Sequence, residues 1–284
     1  MTDHSTAGAP FRLGRALSRS FSVYFRNIVP FLMLALLVFA PVYGYQILAG
    51  PGEFAAAPAD LEDYWSQFKI GPIVVFVANL FLSTFVSVAL IHGTIQFLKG
   101  ENASFGACFA KGTALVLPVF GVSIVYLLAI LLAGLLTALP GGIALGLLVY
   151  ATDASVIYFL GAPIIVAPVI YVLMLLYVTV PVAIVERAGI GSLKRSAALT
   201  KGHRWRLFGL MILFFLISGA LGGALYFLGL MGESSLNFTG GMVAQWAWSG
   251  VVGAFSAVLA AVVYHDLRVA REGVDSDQIA TVFD

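Results

Sequence analysis

The 284-residue chain is 61% apolar and only 10% charged, against roughly 45–50% and 25% in an ordinary soluble domain, so composition excludes a water-soluble globular protein. Its formal net charge of +1 says little until the charges are sorted by side of a membrane, and no nucleic-acid partner is expected. The single cysteine, Cys108, excludes an intramolecular disulfide and any multi-cysteine metal site.

Residues 1–10 are small and polar and are expected to form a flexible terminus. From Phe11 to Arg26, at 100° per residue, Arg12, Arg15, Arg19 and Arg26 share one sector, and Leu13, Leu17, Phe21, Tyr24 and Phe25 lie opposite. This spacing predicts a helix lying in the membrane interface, rings in the acyl region and guanidinium groups among phosphates. A helix packed on the protein's own core is the alternative.

The first apolar run, near Ile28–Leu48, is expected to be a membrane anchor rather than a secretory leader despite the small residues Ala55-Ala56-Ala57, because about 27 residues precede it. Pro30 opens it and Pro41 predicts a kink. An acidic loop with Glu53, Asp60, Glu62, Asp63 and Lys69 leads to a second span near Gly71–Phe97 and a third near Thr113–Leu139. Pro140-Gly141-Gly142 then predicts a turn, with a short re-entrant or periplasmic helix up to Tyr150. Residues 155–185 are too long for one upright crossing of about twenty residues, and Pro163 and Pro168 predict a break or tilt in their first third. The fifth span is expected near Leu207–Met231 and the sixth near Gly241–Tyr264, followed by a helical extension that stops at Gly273. The fold class expected is therefore an all-α membrane bundle of six transmembrane helices: a single membrane domain over 11–273, with an acidic cytoplasmic tail at 274–284.

An internal repeat is suggested by Leu17-Ser18-Arg19-Ser20-Phe21, Phe105-Gly106-Ala107-Cys108-Phe109 and Leu193-Lys194-Arg195-Ser196-Ala197, each just ahead of a span and equally spaced. It predicts three two-span units, approximately 11–98, 99–187 and 188–273.

Of the fifteen Lys and Arg residues, all but Lys69 fall on the side of the N-terminus, which places both termini in the cytoplasm. Six of them (Arg187, Lys194, Arg195, Lys201, Arg204, Arg206) crowd into residues 187–206. Ser192 is a plausible helix cap, and Lys194 and Lys201 fall on one helical face. Arg12, Arg15, Arg19, Lys194, Arg195, Lys201, Arg204 and Arg206 are the candidate lipid-headgroup residues, a cationic collar for an anionic leaflet. Plain topology determination accounts for the same charges. Trp205, Trp246 and Trp248 are the expected interfacial anchors.

The spans as read contain no Asp, Glu, Lys or Arg, against an ion-driven transporter or proton relay. A phosphate-binding loop and a catalytic constellation are lacking, so no enzyme is expected. His92, His203 and His265 show no ligand spacing, so no metal or other cofactor is expected. Small residues at Gly219 and Gly223, Ser218 and Gly222, and Ser249, Gly253 and Ala257 suit close helix packing within the chain.

Two stretches carry a family resemblance. Val180-Pro181, Val185-Glu186-Arg187, Leu193-Lys194-Arg195-Ser196, Leu199-Thr200-Lys201-Gly202 and Trp205-Arg206-Leu207-Phe208-Gly209, with Tyr264-His265-Asp266-Leu267-Arg268 and Glu272-Gly273, resemble the membrane domain attached to some bacterial glycerophosphodiester phosphodiesterases and the related YciC-type inner-membrane proteins. The resemblance implies a multi-pass protein of the bacterial inner membrane. The soluble phosphodiesterase barrel is not expected within these 284 residues, so that activity is not carried over from the resemblance. The functional expectation is a non-enzymatic accessory or scaffold whose partners are anionic lipids or a larger membrane complex; a passive carrier or channel for a lipid or other amphiphile is the alternative.

Overall fold

The computed structural model describes residues 13–50, 70–101, 104–152, 156–227 and 238–272. Arg12, the acidic loop with Lys69, residues 1–10 and the 274–284 tail lie outside them. The described residues form nine helices: α1 (Leu13–Arg26), α2 (Ile28–Ala49), α3 (Gly71–Leu98), α4 (Phe105–Thr152), α5 (Val156–Leu175), α6 (Thr179–Val185), α7 (Gly191–Thr200), α8 (Arg204–Phe227) and α9 (Phe238–Glu272). Six segments are long and apolar enough to cross a membrane: Ile28–Ala49, Gly71–Leu98, Phe105–Thr152, Ile165–Val185, Arg204–Phe227 and Phe238–Glu272. The chain is an all-α, multi-pass membrane protein. Helix is the required solution, because hydrocarbon offers no water to the backbone N–H and C=O groups.

The chain divides into two compact units, Met1–Leu13 with Pro118–Gly209 and Val263–Asp284, and Gly14–Leu117 with Leu210–Val262. In the second, α2 packs along α3. Phe31 and Leu34 of α2, Leu90 and Ile91 of α3, and Ala254, Val258 and Leu259 of α9 are buried. Helix α1 turns its Ala16–Ser20–Val23 face inward. Its Phe21 and Tyr24 rings meet Phe255 of α9 at centroid distances of 4.7 and 5.5 Å, and Tyr24 Oη donates to Val251 O. For these two rings the core-packing alternative holds, because α9 supplies an aromatic partner; Phe25, 62% exposed, has its side chain outward. Arg15 on the same helix is exposed.

Two expectations about the middle of the chain are corrected. Pro140-Gly141-Gly142 is no turn: α4 runs unbroken for 48 residues through Pro118 and Pro140, roughly 70 Å at 1.5 Å per residue. Residues 141–150 are its last part rather than a separate re-entrant helix. The glycine serves packing instead. A Cβ at Gly141 would lie 2.7 Å from Ile165 Cγ1, a Cβ at Gly161 would collide with Leu145, and one at Gly134 would sit 3.9 Å from Val169. These contacts put α4 and α5 antiparallel in one register, with small residues letting the backbones close.

Pro163 and Pro168 do not break the fourth span either, since α5 passes through both. The break falls at residues 176–178, one turn before Pro181, which has no N–H to offer and whose ring crowds the carbonyl four residues back, that of Tyr177. The amide of Thr179 bonds Leu176 O instead of Leu175 O, releasing the Leu175 carbonyl. Ser196 Oγ of α7 donates to that oxygen at 3.0 Å, and Thr200 Oγ1 lies 3.3 Å from it. An interrupted helix at membrane depth is tolerated because protein covers the released group; Val178, Thr179 and Val182 are fully buried.

The three segments of the suggested repeat fall differently. Leu17 and Leu193 lie in separate short helices, α1 and α7, whereas Phe105 is the first residue of the continuous α4. Helix α9 is described to Glu272; Gly273, where the extension was expected to stop, lies outside the described residues.

Candidate functional site

The basic segment 187–206 folds as an elbow. Helix α6 ends at Val185, and Arg187 and Gly189 take left-handed conformations, both at φ 51°. Glycine accepts this readily, and arginine does so at a cost of about 1 kcal/mol. The reversal lays α7 back against α6 and α5. Ser192 is not the expected cap. It lies inside α7, and its hydroxyl donates to Gly189 O at 2.6 Å. Lys201 sits past the end of α7 at ψ 128°, which takes it off the helical face it was expected to share with Lys194.

An ion network closes the elbow. Arg195 Nε donates to Glu186 Oε2 at 2.9 Å and Oε1 at 3.2 Å, and its Nη2 donates to Glu272 at the end of α9. Arg268 Nε donates to Glu272 Oε2 at 3.0 Å, and Tyr264 Oη to Glu186 Oε1 at 3.0 Å. The hydrogen bonds to Glu272 first, then to Glu186, raise the guanidinium pKa of Arg195 above its ordinary value. Arg271 Nη2 donates to Lys201 O at 2.7 Å. Nothing in the sequence pairs these groups, because Arg195 and Glu272 are 77 residues apart.

Beside the network, a cavity of about 750 Å³ is walled by Pro168, Ile170, Tyr171 and Met174 of α5 and by Arg204, Trp205 and Phe208 of α8. The Arg204 guanidinium carbon lies 5.1 Å from the Tyr171 ring centroid, and Nη1 donates to Tyr171 Oη. Arg204 Nε is buried with no hydrogen-bond acceptor among the described residues. His203 is held below its ordinary pKa by burial and then by the Arg206 and Arg271 charges, which disfavours its charged form. A second cavity, about 320 Å³, lies in the other unit among Phe39, Tyr43, Phe76, Asn79, Ser83, Ser249 and Gly253. Its polar groups bond one another or the backbone, as when Tyr43 Oη donates to Ser249 Oγ at 3.0 Å.

The candidate headgroup residues thus separate by role. Lys194, Lys201 and Arg206 are exposed, Arg195 is committed to two carboxylates, Arg204 lines the larger cavity, and Arg15 and Arg19 lie on α1 in the other unit. Among the expected anchors, Trp205 is 82% exposed. Trp246 Nε1 donates to Leu36 O at 3.1 Å, and Trp248 sits where a Cβ at Gly222 would meet its Nε1 at 3.0 Å. Of the small-residue positions on α8 and α9, Gly222 packs in this way, while a Cβ at Gly219, Gly223 or Gly253 would meet nothing within 4 Å. Among the described residues no three His, Cys, Asp or Glu side chains group as metal ligands. No protein-family model, curated protein or solved structure matches the chain.

Proposed function

We propose that the chain is a non-enzymatic accessory or scaffold protein of the bacterial inner membrane, both termini cytoplasmic, whose basic α6–α8 elbow engages anionic lipids or a larger membrane complex. The observation that carries this reading is the division of labour in the elbow. Arg195 is spent on Glu186 and Glu272, which fixes a frame, while Lys194, Lys201 and Arg206 stay exposed. Each exposed cation close to an anionic leaflet is worth about 1 kcal/mol. Purified from native membrane, the protein is expected to retain anionic phospholipid above its bulk share, and Lys194→Ala with Lys201→Ala to lose part of that excess. Retention at bulk share with no stoichiometric protein partner would overturn the reading.

The orientation rests on the charge asymmetry. A fluorescent reporter that matures only in the cytoplasm, fused after Asp284, is expected to light up; a dark fusion, with an exported reporter active at the same site, would reverse the topology. The alternative, a passive carrier for an amphiphile, draws support from the cavity between α5 and α8 and from the interrupted fourth span, since broken helices often border transport sites.

A further inference from the structure

We infer that the cavity between α5 and α8 is a site for one anionic phospholipid, its phosphodiester held by Arg204 and the upper part of an acyl chain lying against Pro168, Ile170, Met174 and Phe208. This inference rests on the lipid-associating reading above and narrows it from a general basic surface to one groove.

Four observations converge on it. The guanidinium is already positioned, because Tyr171 accepts one N–H and lies under its face at 5.1 Å from ring centroid to Cζ. Less side-chain freedom is therefore lost on binding than with an unrestrained arginine. The buried Nε–H lacks an acceptor among the described residues, an unfavourable state that a phosphate oxygen reaching it would relieve. A planar guanidinium suits the oxygens of a phosphodiester.

The surroundings select an anion. Among the described residues of this end of the unit, Arg204, Arg206, Lys201 and Arg271 outnumber the carboxylates Glu186, Glu272 and Asp266, of which the first two are bonded by Arg195 and Arg268. Helix α8 starts at Arg204, so the partial positive charge of its first turn adds to the same field. This excess of positive charge favours a phosphodiester over a choline or ethanolamine ammonium. Finally, the walls select a lipid over a free phosphate ester. At about 750 Å³ the cavity falls within the roughly 300–1,000 Å³ of small-molecule sites, and its remaining wall residues are apolar. Trp205, 82% exposed beside Arg204, is the kind of side chain that marks headgroup level.

The test uses the full chain, purified, stripped of lipid and titrated with phosphatidylglycerol or phosphatidylcholine of identical acyl chains, bound lipid being counted by native mass spectrometry. Wild-type protein is expected to take one phosphatidylglycerol at least tenfold more tightly than phosphatidylcholine. Arg204→Gln, and separately Ala167→Trp, which puts a large side chain into the cavity that Ala167 helps to wall, are each expected to weaken that event tenfold or more, while Lys194→Ala with Lys201→Ala, which thins the surrounding positive field, weakens it by about fivefold or less. Monodispersity and thermal midpoint establish that each variant is folded; should Arg204→Gln fail there, Ala167→Trp decides. In a background with Trp65, Trp246 and Trp248 replaced by Phe, chain-brominated phosphatidylglycerol is expected to quench Trp205, and Ala167→Tyr in that background to abolish the quenching. Unchanged binding in both cavity variants, with loss in the lysine variant, would overturn this site and leave the general lipid reading standing. No preference in wild type would overturn both. Displacement of the lipid by soluble glycerol phosphate at equal concentration would show a phosphate-ester site and overturn the lipid assignment.

Discussion

Gly93→Leu is expected to destabilise the protein by about 3 kcal/mol or more, enough to lower its thermal midpoint in detergent by roughly 6–12 °C. Gly93 lies in α3, where a Cβ would come 2.7 Å from Cys108 Sγ of α4 and 3.1 Å from Phe31 Cε1 of α2. Phe31 and Cys108 are 1% and 2% exposed, so neither can yield into solvent. In a bilayer there is no hydrophobic gain from swapping lipid for leucine, and the energy of helix association comes from close contact that only a small residue permits here. Gly93→Ala is expected to cost about 1–3 kcal/mol, and Cys108→Ala to restore part of that loss, because removing Sγ clears the nearer obstacle. The leucine variant is expected to gain little from the same change, since Phe31 still blocks it. A neutral Gly93→Ala, or a cost that Cys108→Ala leaves untouched, would refute the argument.

The crossings were legible because an apolar run of about twenty residues has almost no other stable solution; the predicted Ile28–Leu48 and Gly71–Phe97 became Ile28–Ala49 and Gly71–Leu98. The misreadings share one cause. Pro140-Gly141-Gly142 and the Pro163–Pro168 pair are interruptions by the habits of soluble proteins, where water takes over each released backbone group. In hydrocarbon the helix persists, and Gly141 is explained by Ile165 on the neighbouring helix, which no local pattern announces. Pro181 does break its helix, and the reason lies about twenty residues further on, where Ser196 and Thr200 cover the freed Leu175 carbonyl. For the candidate site the residue types were legible and their uses were not. The eight candidate cations fall on one side and the six arginines among them are alike in the sequence, yet Arg195 is paired with Glu186 and with Glu272, 77 residues away, and Arg204 is held over Tyr171, 33 residues earlier. Pairings over such separations are set by packing, so composition marks the basic end of the protein without saying which cations remain available.

Removing the hub of that pairing is the second large effect expected. Glu186→Ala is expected to cost about 2–4 kcal/mol, and two contributions decide the size. The first is the ion pair to Arg195, whose side chains are 24% and 35% exposed, between the roughly 0–1 kcal/mol of a surface pair and the 3–5 kcal/mol lost when a buried pair is halved. The second is Tyr264, 2% exposed, whose hydroxyl bonds Glu186 and in the variant becomes a buried donor without an acceptor, a loss of about 1–3 kcal/mol. Glu186→Gln keeps an oxygen for that hydroxyl and is therefore expected to cost clearly less than Glu186→Ala. In a double-mutant cycle, Glu186→Ala with Arg195→Ala should show coupling of about 1–2 kcal/mol, whereas Arg268→Ala with Glu272→Ala, a pair one helical turn apart at 35% and 38% exposure, should show about 0.5 kcal/mol or less. Raising the salt to about 0.5 M should shrink the second coupling more than the first, because the more exposed pair is better screened. Equal couplings, or equal costs for the glutamine and alanine variants, would mean that Glu186 does not hold α7 to the ends of α6 and α9, and that the elbow keeps its shape by packing alone.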